Sequence, residues 1–231
     1  MKENGKIDLR TGIGTLIAFV LWTLLIQGVD VRPVGPNGTK VGFAGFNLLF
    51  HQITGVHMTL YTVTDWLGLV PVSVCLCFCV LGLIQLLRRK SLFQVDADLL
   101  LLGVYYVLVV LCYLFFEKVP INYRPILIDG VLEASYPSST TLLVLSVMPT
   151  LKLLVERRAS GAAIRKGTAG FVCLFSGLMV IGRLVSGVHW ATDIIGSALL
   201  SGGLFLLYRF AVGAAEQTRS KEHKERPNGI S

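Results

Sequence analysis

Six stretches of roughly twenty residues carry two charged side chains at most: 11–28, 67–87, 98–116, 138–155, 168–187 and 191–212. A hydrocarbon core about 30 Å thick is crossed by ~20 apolar residues in a helix, so each stretch can span a bilayer once. Lipid offers no partner for backbone N–H and C=O groups, so runs of this kind must satisfy them as helices. The expected fold class is therefore all-α: a polytopic membrane protein of six transmembrane helices. Composition agrees, with 53% hydrophobic and only 15% charged residues, where a soluble domain carries about 25% charged. The first run is followed by "QGVDVRP" and not by a small-residue cleavage site, so it reads as a retained anchor and not as a signal peptide.

The net charge is +7, but its distribution argues against nucleic acid as a partner. If both ends are cytoplasmic, the inner segments are 1–10, 88–97, 152–167 and the tail from 209. They hold every Lys and Arg except Arg32, Lys40, Lys118, Arg124 and Arg183. That asymmetry is the positive-inside pattern and sets orientation. The expected organisation is one membrane-embedded domain over 1–231. It has a cytoplasmic N-terminus (1–10), an extracytoplasmic segment (29–66) and a mobile cytoplasmic tail (213–231), whose basic residues have anionic lipid as an alternative partner. Cys75, Cys77, Cys79, Cys112 and Cys173 all fall in apolar runs. On a helix, residues two apart point about 200° apart, so the C-x-C-x-C run cannot share one ion. Buried free thiols are expected, with no disulfide framework.

Segment 29–66 opens on the turn-rich "DVRPVGPNGT" and continues as an amphipathic, aromatic stretch. It is expected to form one or two helices at the outer interface, with Trp66 in an aromatic belt. Asn37-Gly38-Thr39 matches a glycosylation acceptor but is read as a turn. His51 and His57 fit the polar side of such a helix, and one of them could reach over an outer site.

Three stretches on that same side hold the unusual chemistry: "EKVPINYRP" (117–125), "YPSSTT" (136–141) and "GRLVSGVHWATD" (182–193). They contain Lys118, Arg124 and Arg183, the cations outside the inner loops other than Arg32 and Lys40. Ionisable groups beside hydrocarbon are costly, and three cations together with a His and an Asp point to function. Phosphoryl transfer needs cationic clamps, backbone N–H groups and an in-line nucleophile. Arginine suits the clamp because its fork meets two oxygens. Ser138 and Ser139 open a helix after Pro137, where free N–H groups and the helix dipole favour an anion, although serine there also serves as a simple cap. His189 and Asp193 are four residues apart and are expected on one helix face, the carboxylate fixing the imidazole tautomer.

With these residues in view, the chain resembles membrane members of the type 2 phosphatidic acid phosphatase (PAP2) superfamily. The resemblance rests on R-x5-H-x3-D, present as Arg183, His189 and Asp193, and on Arg124-Pro125 of a K-x6-R-P motif. It implies a PAP2-type helical core, His189 as the nucleophile forming a phosphohistidine, Asp193 orienting it, and Arg183 and Arg124 binding phosphate. Lys118 is implied as a further phosphate ligand, although it stands one residue closer to Arg124 than the motif asks. The family's P-S-G-H reads Pro137-Ser138-Ser139-Thr140 here. Ser138 and the backbone at Ser139 can still cradle phosphate, but the acid that protonates the leaving group is replaced by Thr140.

General acid help contributes roughly 10²–10⁴ in rate. An alcohol leaving from a phosphomonoester needs that proton, whereas a phosphate leaving from a diphosphate needs it far less. The favoured function is thus a metal-independent lipid phosphatase or diphosphatase acting on an outer-leaflet substrate such as a polyprenyl diphosphate. Other readings remain: a substitute acid (His57, Glu133 or Asp129), a non-hydrolytic relative that binds, transports or transfers a phospholipid head group, or a threonine introduced artificially. No cofactor and no metal cluster are implied. The expected partners are a phosphorylated lipid and the bilayer, and no motif specifies an oligomeric state.

Overall fold

The computed structural model describes residues 2–225, which fold into eight α-helices. They are α1 (Lys2–Gly28), α2 (Ala44–Thr54), α3 (Met58–Leu67), α4 (Leu69–Arg89), α5 (Ala97–Lys118), α6 (Ser139–Arg158), α7 (Ala162–Val185) and α8 (Ala191–Glu225). No strand forms among the described residues, and six helical segments are long and apolar enough to cross a membrane. The all-α, six-span expectation holds.

Boundaries differ in instructive ways. Residues 2–10 are already helical, because their polar side chains continue α1 past the apolar run. The tail expected from residue 213 is helical as far as Glu225, and residues 226–231 lie outside the described residues. Asp8 pairs with Arg209, so the start of α1 and the latter part of α8 meet at one end of the bundle. Arg158 reaches Asp98 at 2.6 Å and Asp96 at 3.2 Å at that end too. Some of the basic residues that mark orientation thus also tie helix ends together.

Helices α6 and α8 form the centre, with α1 and α5 against α8 and α7 and α4 against α6. Val144, Met148 and Thr141 of α6 are fully buried, as are Ser197 and Ser201 of α8 apart from traces. Small and hydroxyl residues let membrane helices approach and bond across the interface. The outward faces are different: Leu24, Leu76, Val104 and Leu174 are all more than half exposed. An apolar surface that large fits contact with lipid. The cysteines are free, but they are not buried in protein as expected. Cys77, Cys79 and Cys173 are exposed and Cys75 and Cys112 half-buried, so the outward faces of the helices carry them toward lipid.

At the opposite end from the termini, segment 29–66 forms α2 and α3. Helix α3 leads through Gly68 into α4 and packs on α7, and Trp66 is exposed as a belt residue would be. Pro36–Gly38 is a single 3-10 turn with Asn37 at φ 56°. Helix α2 is fixed through the fully buried Asn47, whose amide donates to the Gly42 carbonyl and Thr192 Oγ1 and accepts from the Thr192 N–H. These bonds pin the start of α8.

The loop between α5 and α6 is a β-hairpin in miniature. Arg124 N donates to the Glu133 carbonyl at 3.1 Å and Ser135 N to the Asn122 carbonyl at 2.9 Å. At the tip, Asp129 and Gly130 both have positive φ, 49° and 78°. That is the turn whose twist suits a tight hairpin, and Asp-Gly is its strongest sequence signal. Pro125 has no N–H to give, which interrupts the pairing beyond Arg124.

Candidate active site

The hairpin, the start of α6 and the turn between α7 and α8 meet at a polar cavity of about 200 Å³. Arg124, Glu133, Ser135, Ser139 and His189 line it, with Tyr113, Phe116 and Glu117 at its side. Trp190 locks two of these parts together, its indole N–H donating to the Tyr123 carbonyl at 2.8 Å. Tyr136 fixes the third, its hydroxyl 2.7 Å from Thr23 Oγ1 and its ring stacked on Phe19.

His189 is buried, at 4% exposure. It does not share a helix face with Asp193 as the spacing suggested: it sits in the turn before α8, which begins at Ala191. Its Nδ1 is 3.8 Å from Asp193 Oδ2, too far for a hydrogen bond. Ser135 Oγ stands between them, 3.1 Å from Nδ1 and hydrogen-bonded to Asp193 Oδ2. The carboxylate also accepts from the Trp190 N–H at 2.9 Å and from Asn122 Nδ2 at 3.3 Å. On the other side of the ring, Arg124 Nη1 lies 3.3 Å from Nε2. Burial pushes the His189 imidazole down to about 4. The nearby Asp193 carboxylate acts upward, and the Arg124 and Arg183 charges act downward. The ring is neutral at neutral pH.

Arg124 Nε is 2.9 Å from Glu133 Oε2, an ion pair out of line for a hydrogen bond, since that nitrogen has no hydrogen-bond partner. Arg183 is 1% exposed; its Nη1 is 3.3 Å from Thr64 Oγ1 and 3.4 Å from the Tyr61 carbonyl, and its Nε has no partner. Both guanidinium groups lie over the Tyr61 ring, at 4.7 Å for Arg183 and 5.8 Å for Arg124. Helix α3 thus supports the two arginines, through residues that no motif marked.

Other expected site residues are not brought together. Lys118 is exposed at the end of α5 and does not line the cavity, because Glu117 takes the inward position. Ser138 is fully buried and directed elsewhere. Its hydroxyl donates to Thr141 Oγ1, its N–H meets the Asp193 carbonyl, and its carbonyl accepts from Ser197. Ser139 does line the cavity. The His57 ring is exposed and its Nε2 is engaged by the Thr54 carbonyl at 2.8 Å. Asp129 is exposed at the hairpin tip. Of the three substitute acids, Glu133 alone lines the cavity. The His51 ring lies tilted against Trp190, with centroids 5.7 Å apart; it is half-buried, and burial lowers its pKa.

Thr140 faces a second cavity of about 320 Å³, walled by Leu69, Val72, Val109, Val110 and Leu142 and edged by Asp65. Tyr113 and Ser139 line both cavities. A polar chamber thus adjoins an apolar one that opens between α4 and α5. Among the described residues, no group of three or more His, Cys, Asp or Glu could hold a metal ion.

Comparison with known proteins agrees with this architecture. The profile of the PAP2 superfamily matches residues 103–215. Among solved structures, a transmembrane PAP2-type phosphatidylglycerolphosphate phosphatase from Bacillus subtilis superposes with a TM-score of 0.64 at 17% identity. The match covers 89% of this chain and 96% of that one, and at such identity it shows the shared fold. No curated protein matches the sequence.

Proposed function

We propose that this chain, whose residues 103–215 match the PAP2 superfamily profile and whose fold is that of a PAP2-type phosphatase, is a lipid phosphatase whose nucleophile is His189. The observation that carries this reading is the imidazole itself. Its Nε2 lies beside Arg124, the ring is buried, and the polar cavity holding it adjoins an apolar one. A lipid phosphate fits both halves, with its phosphoryl group beside His189 and its chain along the apolar wall. The favoured substrate is a polyprenyl diphosphate at the extracytoplasmic face.

In the first step Nε2 attacks phosphorus in line, the N–P bond forms and the P–O bond to the leaving group breaks. Arg124 and Arg183 hold the equatorial oxygens, as cationic clamps do in phosphoryl transfer generally. Binding draws the Arg124 guanidinium from Glu133 to phosphate. A diphosphate releases a phosphate anion that carries its own charge, so the threonine at 140 is no obstacle. Water then attacks the phosphohistidine, the N–P bond breaks with its electron pair returning to Nε2, and inorganic phosphate leaves with the water's oxygen and both its protons, one of which it passes to solvent. Arginine supplies the positive charge, so the reaction is metal-independent.

The test is phosphate release from matched lipid mono- and diphosphates in micelles, with and without EDTA, and capture of phosphorus label on His189. Release from the diphosphate, unaffected by EDTA and with label on His189, is expected. Loss of activity on chelation sinks metal independence. Tight binding without turnover or label favours the second reading, a binding or transfer protein, which Thr140 in the second motif supports.

A further inference from the structure

Ser135 lies two residues before the proline of the phosphate-cradle motif, and neither the motifs nor the comparisons give it a role. The hairpin places its hydroxyl between the nucleophile and the carboxylate. We propose that Ser135 is the positioning residue of His189: it accepts a hydrogen bond from Nδ1–H and donates one to Asp193, so the carboxylate orients the imidazole through this hydroxyl. The proposal rests on the reading above that His189 attacks phosphorus.

Proton counting carries the argument. A serine hydroxyl has one proton and lone pairs to accept with, whereas an ionised carboxylate only accepts. The Ser135 proton therefore goes to Asp193 Oδ2, its hydrogen-bond partner. That leaves Ser135 Oγ to accept at its other contact, 3.1 Å from His189 Nδ1, so Nδ1 carries the imidazole proton. The opposite edge of the ring is consistent with the same tautomer. Arg124 can only donate, and its Nη1 is 3.3 Å from Nε2, a long contact that favours a lone pair there but is too weak to hold one tautomer without Ser135. Both ends agree on Nδ1–H with a bare Nε2, the form that can attack phosphorus.

The direct alternative is closed by distance, because Nδ1 and Asp193 Oδ2 are 3.8 Å apart. Ser135 is 2% exposed and Asp193 fully buried, so water does not compete for these bonds. The serine is itself held, its N–H donating to the Asn122 carbonyl at 2.9 Å while Asn122 Nδ2 reaches Asp193 Oδ1 at 3.3 Å. When the ring gains positive charge on attack, Nδ1–H becomes a stronger donor. The Ser135 hydroxyl passes that polarisation to the carboxylate without any proton changing owner.

The test uses the full chain in detergent micelles with ¹⁵N-labelled histidine. The sequence has four histidines, and His189→Gln identifies the resonances of His189. At neutral pH the parent should show a single tautomer, Nδ1 protonated and Nε2 bare. Ser135→Ala should give a mixture of tautomers, and Ser135→Thr, which restores the hydroxyl, should return the single form. In parallel, Ser135→Ala should lower kcat by about 10–100-fold, by analogy with hydrogen-bonding partners that orient metal-bound imidazoles, with KM held within about twofold. Asp193→Asn on top of Ser135→Ala should add little, since the two act as one unit. If Ser135→Ala does not fold, Ser135→Cys keeps the shape with a weaker donor and carries the same expectations. An unchanged tautomer in a folded Ser135→Ala or Ser135→Cys overturns the proposal, and so does an unchanged kcat. If the tautomer responds as expected but the parent hydrolyses no lipid phosphate, Ser135 stands as the positioning residue and the hydrolase reading falls.

Discussion

His189 enters the fold neutral, and that has a price in acid. Its pKa is about 4 in the folded protein, mainly through burial, against about 6.5 unfolded. Below about 6.5 the unfolded chain takes up a proton that the folded chain refuses, so the contribution is fully present above that pH and is lost as pH falls toward 4. The total is about 3 kcal/mol by linkage. The unfolding midpoint in micelles should therefore fall between pH 7 and pH 4, and His189→Gln should flatten that part of the profile. The same substitution should abolish turnover while leaving a folded protein at pH 7. A midpoint that stays level from 7 to 4 in the parent would contradict the buried neutral imidazole.

Turns between elements do more for the site than the helices they join. Gly187, in the turn between α7 and α8, has φ +68°, and a Cβ there would run into the backbone carbonyl of Gly55. The His57 N–H donates to the Ser186 carbonyl at 3.0 Å across the same junction, so α3 and the His189 turn meet backbone to backbone. Gly130 at the hairpin tip has φ +78° with open space around it. Gly130→Ala should cost about 1–2 kcal/mol, the conformational penalty alone. Gly187→Ala should cost clearly more and should also lower turnover, read by unfolding midpoint and phosphate release. Equal effects at both positions would mean the α3 contact does not hold the site.

The first turn of α6 sets up a different comparison, since Ser139 lines both cavities and Thr140 the apolar one. Thr140→His should raise hydrolysis of a lipid monophosphate by ~10², within the range for acid help, and change a diphosphate much less. Equal gains on both substrates would show that leaving-group basicity is not what the threonine reflects.

At the scale of the molecule, the basic residues and the bundle give one orientation to test. Pro36→Cys lies on the site side and Glu222→Cys beyond the last span. The basic asymmetry predicts cytoplasmic termini, so an impermeant thiol reagent on intact cells should label position 36 and spare position 222. Labelling at 222 alone would turn the site to the cytoplasm. The five native cysteines lie within the apolar runs, where such a reagent does not reach.

Six spans were legible because lipid leaves the backbone no alternative to helix, and apolar length alone reports it. Arg124, Arg183, His189 and Asp193 were legible because charge beside hydrocarbon stands out against that background. What chain order could not convey is which groups touch. The i,i+4 spacing of His189 and Asp193 suggested direct contact on a helix, but the helix begins after the histidine. Asp129-Gly130 folds the preceding loop back so that Ser135 fills the gap. The Asp-Gly pair was readable as a turn, whereas its consequence for a side chain beside His189 was not. Lys118 stood one residue off its motif and Ser138 matched one, yet helix phase turns the first outward and bonds to α8 turn the second away. Tyr61 and Thr64 had no motif at all, because their role comes from α3 packing on α7. Apolar runs and buried charge act locally and can be read in one dimension, whereas the direction of a hydrogen bond is set by segments distant in sequence.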